Sequence, residues 1–130
     1  VRHSKNVSFL EVTDGSCFSG LQAVAAPELP EYESCVLELG TGCSVEIEGE
    51  LVESRGKGQR YEIHASRVVL VGAAADDYPL QKKRHSLEFL RTLGHLRTRT
   101  NTLGAVLRVR NAATVAIHNF FQAQGFINLH

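Results

Sequence analysis

Four groups of side chains in this 130-residue sequence have the types needed for chemistry, and their spacing decides how far each can be taken. Cys17, Cys35 and Cys43 are odd in number and widely separated. No two cysteines form a Cys-x-x-Cys pair and no histidine follows at finger-like spacing, so neither a structural zinc nor a disulfide framework is expected. The three read as buried or half-buried thiols of a reducing compartment. Arg55-Gly56-Lys57-Gly58-Gln59 has the glycines and bases of a phosphate loop but not its Gly-x-x-x-x-Gly-Lys-Ser/Thr pattern, and reads as a hairpin turn. Lys82-Lys83-Arg84-His85 is a basic run, either an exposed linker or a contact for a polyanion. His118 stands alone on a helical pattern and receives no catalytic role.

These residues sit in a chain whose charge is balanced only in sum, with 14 Lys and Arg against 14 Asp and Glu. Residues 1–75 hold eleven acids and six bases, whereas residues 76–130 hold three acids and eight bases. The asymmetry predicts two pieces with different tasks. Length allows one modest core, and 43% hydrophobic with 22% charged residues argues against disorder. No apolar run reaches the roughly 18 residues of a membrane span, and no secretory signal opens the chain. The sequence begins at Val1 and contains no Met, as expected of a processed chain or an excerpt.

The elements that must position the chemistry follow from patterning. Val7–Val12 is β-branched and aromatic and stops at the Asp14-Gly15-Ser16 turn signal; Leu21–Val24 completes a hairpin. Pro27 and Pro30 break the pattern, and a short helix is expected between Glu31 and Leu39, ended by Gly40-Thr41-Gly42. Val45–Leu51 alternates strictly, with Val45, Ile47 and Leu51 on one face and Glu46, Glu48 and Glu50 on the other. Gly49 falls on the inner face, where it allows either a bulge or a sharp coil. Tyr61–Val71 is the partner strand. Five short strands with a helix before the fourth is the order of an OB-fold, a small Greek-key barrel, here with most of its first strand missing.

The remainder is different in kind. Ser86 can cap a short helix through Leu90, and Thr100-Asn101-Thr102 can cap a longer one. From Leu103 to Phe121 apolar residues recur at helical spacing, and Gly125 is a natural stop, giving about 22 residues or roughly 33 Å. Phe126–Leu129 reads as the start of a strand. A helix and a lone strand cannot bury their apolar faces by themselves, so a partner chain or further sequence is expected to cover them.

Asp76-Asp77-Tyr78-Pro79-Leu80-Gln81-Lys82-Lys83-Arg84-His85-Ser86-Leu87-Glu88-Phe89-Leu90-Arg91 resembles the segment that joins the two domains of asparaginyl-tRNA synthetases. His95-Leu96-Arg97-Thr98-Arg99-Thr100-Asn101 matches the continuation of that segment except that Thr98 replaces a proline. Phe120-Phe121 with Gly125-Phe126 resembles the end of the first class II motif, and Gly42–Val52 resembles the family's anticodon-binding barrel. Residues 79–101 favour the asparaginyl over the aspartyl or lysyl enzymes, with the corresponding part of an aspartyl-tRNA synthetase kept as an alternative within the resemblance. The resemblance implies an anticodon-binding OB-fold over residues 1–75, a hinge over 76–100, and over 101–130 the beginning of a class II α+β catalytic domain with its first-motif helix and strand.

It also implies that the whole protein activates asparagine with ATP, uses Mg2+, transfers asparagine to tRNA(Asn), and works as a cytoplasmic homodimer. A mitochondrial or plastid source stays open. The second and third class II motifs fall outside residues 1–130, so no catalytic or metal-binding residue is assigned and this segment is expected to be inert in adenylation, with neither ATP nor metal bound. In the barrels of this class an arginine, an aromatic and a glutamine from successive strands surround the central anticodon uridine, and the matching positions are Arg2, Phe9 and Gln22. An unpaired base can stack on Phe9 and be read at its Watson–Crick edge by Gln22, with Arg2 adding a charged donor. Lys57 could brush RNA backbone, and Lys82, Lys83 and Arg84 could touch the tRNA. Two alternatives remain open from the residues themselves: a stand-alone OB-fold binder of single-stranded nucleic acid, and an interaction piece that dimerises through residues 103–129.

Overall fold

The structure, a computed structural model, describes every residue except Lys57 and His130. It divides into two compact units, residues 1–84 and 85–130.

The first unit is built on five strands: β1 (Arg2–Ser4), β2 (Val7–Val12), β3 (Leu21–Ala25), β4 (Ser44–Glu53) and β5 (Tyr61–Gly72). They form one sheet in the order β1-β2-β3-β5-β4, with β3 and β5 parallel and every other pair antiparallel. That order, with a three-stranded meander and a hairpin joined through a parallel pair, is the OB-fold expected from the sequence. Alternation along β2 and β3 sends Ser8, Leu10, Ala23 and Ala25 inward and leaves Phe9, Glu11 and Gln22 on the other face. Leu10, Ala23, Ala25, Val36 and Val68 are essentially sealed, and Ile47, Ile63 and Ala65 pack against them. Ser8 is the polar exception in this core. Its hydroxyl is satisfied by Tyr32 Oη and by His3 Nδ1, each at 2.8 Å.

Of the two possibilities at Gly49 the bulge is the one found: the register moves from Glu48↔Arg67 to Gly49↔Ala65 and leaves Ser66 as the extra residue on β5. A Cβ at Gly49 would run into the His64 carbonyl, which is why glycine stands there. Ser66 Oγ donates to the Glu48 carbonyl at 3.2 Å across the bulge. Glu46, Glu48 and Glu50 are exposed as expected, but Leu51, opposite Ile63 at the end of the sheet, keeps 60% of its surface in solvent.

Between Glu31 and Leu39 the expected helix contracts to a single 3₁₀ turn, Val36–Glu38, preceded by irregular turns. Burying Tyr32, Val36 and Leu39 together against the sheet favours that tighter path over a regular helix. No disulfide joins the cysteines. Cys43 Sγ accepts from Ala74 N at 3.4 Å, and Cys35 is half-buried. Cys17 departs from the expected burial: it lies exposed in the loop between β2 and β3, its thiol donating to the Ser19 carbonyl at 3.0 Å.

The second unit contains α1 (Leu87–Thr92) and α2 (Asn101–Ala123). Ser86 caps α1, its Oγ accepting from Phe89 N at 3.2 Å. Thr100 precedes α2 without capping it, because its hydroxyl donates to the Arg97 carbonyl at 2.7 Å instead. Gly125, at φ +86°, ends the helical path as predicted, and Phe126 N donates to the Phe121 carbonyl at 3.1 Å. Phe126–Leu129 forms no strand. A strand is defined by a neighbour's hydrogen bonds, and among the described residues no strand pairs with this segment. Neither described helix is long and apolar enough to cross a membrane.

Candidate nucleic-acid interface

The outer face of the sheet carries a concavity of about 700 Å³, and Arg2, Phe9 and Gln22 all line it. Strand pairing explains the convergence. Arg2 of β1 lies directly opposite Phe9 of β2, and Gln22 of β3 lies opposite Glu11 of β2 and Glu62 of β5. Side chains opposite one another in a ladder share a face, so residues 20 positions apart are brought to one surface. The Arg2 guanidinium carbon stands 4.6 Å from the centre of the Phe9 ring, a cation–π pair contributing about 0.5–1 kcal/mol at an exposed site. Phe9 is half-buried, so the ring is held from beneath while part of it faces the concavity.

Gln22 is held by a network. Its Nε2 donates to Glu62 Oε2 at 3.2 Å. The same carboxylate oxygen accepts from Ser54 Oγ at 2.7 Å and from Gln59 Nε2 at 2.9 Å. His64 Nε2 lies 3.4 Å from the other oxygen. The Ser54 hydroxyl holds the Glu62 carboxyl below the ordinary carboxylate range; desolvation opposes this, and the His64 and Gln59 contacts reinforce it. Glu62 therefore stays ionised at neutral pH.

Positive charge arrives from two other elements. Arg55 and Gly56, from the turn between β4 and β5, border the concavity. Lys82, from the segment after the sheet, reaches it too, its ammonium donating to the Val1 carbonyl. That segment returns to the sheet because Tyr78 packs its ring over Gly42, where a side chain would sit 2.8 Å from the ring atoms. Glu46, Glu48, Glu50 and Glu53 are exposed and none lines the concavity; Glu48 is instead paired with Arg67 at 2.7 Å. The acidic balance of residues 1–75 thus sits largely on other surfaces. Lys57, considered above for backbone contact, lies outside the described residues.

Sequence patterning did not single out Glu62, Ser54 or Gln59. One signal was available: alternation along Tyr61–Ala65 sets Glu62 and His64 on the face opposite Ile63 and Ala65. What alternation does not give is the parallel pairing that brings Glu62 beside Gln22. His118 meets Asn128, with Nδ1 and Nδ2 3.0 Å apart, and lies in the other unit. Among the described residues no three His, Cys, Asp or Glu side chains gather as a metal site would require.

Comparison with known proteins agrees with this fold. Residues 1–71 match the tRNA anticodon family, described as an OB-fold nucleic acid binding domain. The chain belongs to that OB-fold family. The OB-fold chain is also 55% identical over 129 residues to an asparagine–tRNA ligase of Microcystis aeruginosa, a match covering 99% of this chain and 28% of the relative. To the asparagine–tRNA ligase of a Nostoc species it is 56% identical over 130 residues, again covering 99% of this chain and 28% of the relative. The chain therefore spans less than a third of the length of these relatives. The resemblance read from residues 76–101 is borne out at this level. A solved asparaginyl-tRNA synthetase structure from Pyrococcus horikoshii shares the fold, with a TM-score of 0.82 and 23% identity over 99% of this chain and 31% of that one.

Proposed function

We propose that this OB-fold chain is the anticodon-binding part of an asparagine–tRNA ligase, with Arg2, Phe9 and Gln22 forming the pocket for the central anticodon base. The observation that carries the reading is the meeting of an aromatic face, an amide and a guanidinium, from three strands, in one concavity of a nucleic-acid-binding fold. Each group has a defined task there. Phe9 offers a stacking surface for an unpaired base, which contributes on the order of 1–3 kcal/mol. Gln22 presents a hydrogen-bond acceptor and a donor to the base edge. Arg2 adds a charged donor to base or phosphate, and Lys82 and Arg55 supply charge for the neighbouring backbone.

The ligase reading is supported by the identity to asparagine–tRNA ligases along nearly the whole chain. In that reading the whole protein joins asparagine to tRNA(Asn) in the cytoplasm, with ATP and Mg2+ supplying activation of the carboxyl group. This chain contributes recognition and no step of the adenylation. Residues 1–75 are then the anticodon domain, 76–100 the hinge and 101–130 the opening of the catalytic domain. The apolar residues along α2, with Val109 71% and Phe120 61% exposed, support a homodimer built through that helix.

The test is kinetic, in the whole protein. Phe9→Ala is expected to weaken asparaginylation about 10-fold or more through the KM for tRNA. Asparagine-dependent exchange between ATP and pyrophosphate should stay unchanged. Absence of that exchange in the wild type would overturn the ligase reading, and an unchanged KM for tRNA would remove Phe9 from the interface.

A further inference from the structure

The chain does not leave the OB-fold unit where its last strand ends. Beyond β5 it turns back along the unit, and its path is fixed at successive points. Ala74 N donates to Cys43 Sγ at 3.4 Å, the Tyr78 ring closes over Gly42, and Leu80 is buried. Gln81 Nε2 donates to the Tyr78 carbonyl at 2.6 Å and holds the turn between them. Lys82 then reaches Val1, its ammonium donating to that residue's carbonyl. Gly42 and Cys43 stand just before β4 and Val1 just before β1, and β4 and β1 are the two outer strands of the sheet. Residues 74–82 therefore tie one edge of the sheet to the other.

The two ends of this tie are held by different physics. At the β4 end Tyr78 and Leu80 are held by packing. At the β1 end Lys82 is exposed, and a hydrogen bond that water competes for adds little net free energy. The Lys82 end is the one that opens easily. Its ammonium has three N–H donors, of which the Val1 carbonyl takes one. The ammonium stands at the rim of the concavity, where Arg2 and Arg55 bring the cations to three, against the carboxylates of Glu11 and Glu62. The remaining N–H groups suit a charged acceptor there, such as a phosphate of a bound RNA.

We propose that residues 74–82 are an RNA-responsive clasp, in which Lys82 holds the Val1 carbonyl and an RNA phosphate together, so that RNA bound on the sheet tightens the segment leading out of the OB-fold unit. The inference rests on the reading of the concavity as an RNA-binding surface, and it adds a conformational response to that surface. A ligand that meets Lys82 only in its docked position shifts the clasp toward that position. The coupling is reciprocal, so docking of the clasp strengthens RNA binding by the same factor.

The experiment measures amide hydrogen exchange of residues 74–83 in the full chain, alone and saturated with an anticodon stem-loop RNA whose binding is followed by fluorescence anisotropy. In the wild type the RNA should slow exchange in this segment several-fold. Lys82→Met keeps the stem and removes the donors, so the segment should exchange faster than in the wild type without RNA, and saturating RNA should not restore its protection. Lys83→Met removes the same charge one position along, from a side chain that does not line the concavity, and should keep the full response. Equal protection by RNA in the wild type and Lys82→Met would mean that the RNA simply covers the segment, and would overturn the inference. Equal exchange of the two proteins without RNA, or the same loss of response in Lys83→Met, would overturn it as well. Failure of the wild type to bind the RNA would overturn the RNA-binding reading itself, and the inference with it, whereas binding without added protection would overturn the clasp alone.

Discussion

The two units of this chain pose opposite packing problems. In the OB-fold unit, five strands and the irregular 31–39 segment close over Leu10, Ala23, Ala25, Val36 and Val68, leaving each with 2% or less of its surface exposed. In the other unit α2 runs for 23 residues without burying one of them. Both segments have strong local signals in sequence, but local signal makes an element and packing makes a platform. Side chains that must hold a base to within a fraction of an ångström belong on the first kind of surface. The proposed recognition residues are carried by strands whose other face is the core.

The sharpest way to break this contrast is to cut into each unit in the same way. Leu10→Ala removes a sealed side chain and is expected to cost about 3 kcal/mol in urea unfolding. Val109→Ala on α2 is expected to stay within about 0.5 kcal/mol in the same chain. Equal losses at the two positions would mean that α2 is buried in solution. Next in size, Phe9→Ala should weaken RNA binding by about 1–3 kcal/mol, with the circular dichroism spectrum unchanged, because Phe9 lies on the open face. A Ser8→Ala exchange, one position away on the opposite face, should do the reverse. It leaves Tyr32 Oη without its partner, costing about 1 kcal/mol of stability with little effect on the binding free energy.

Two smaller effects test the electrostatics of the site. Lys82→Ala should reduce the slope of log binding constant against log salt by about 0.7, as for one contact to single-stranded backbone, and lower affinity without changing base preference. Glu62 is depressed below its ordinary value of 4.5, chiefly by the Ser54 hydroxyl. Its contribution to stability is therefore full above that value and is lost as pH falls through the depressed one. Removing the main cause in Ser54→Ala should make the wild type and the variant converge in urea midpoint as the solution is taken below pH 4.5. Asp14, depressed by its hydrogen bonds from Ser16, is common to both proteins and drops out of the difference.

Much of this was legible in the residues. The alternation of Val45–Leu51 showed the fourth strand, and Gly49 marked the bulge because no side chain fits against the next strand's carbonyl. Ser86 announced α1 through its side chain, and Gly125 announced the end of α2. Thr100 did not cap as its type suggested, since a nearer carbonyl took its hydroxyl. The failures have a common origin in tertiary context. The 31–39 segment bends to the demands of the core, and Phe126–Leu129 pairs with no strand among the described residues. Glu62 escaped notice for the same reason: it meets Gln22 across 40 positions, through a parallel pairing that no local pattern encodes.

The central claim is that three residues on the open face of the OB-fold read the middle base of an anticodon. It is tested most directly by titrating the chain with four stem-loop RNAs that differ only at that base, beside the same series with Gln22→Ala. Binding should be tightest for U in the wild type, and the four affinities should converge when Gln22 is removed. Four equal affinities in the wild type, or a preference for U that survives Gln22→Ala, would contradict it.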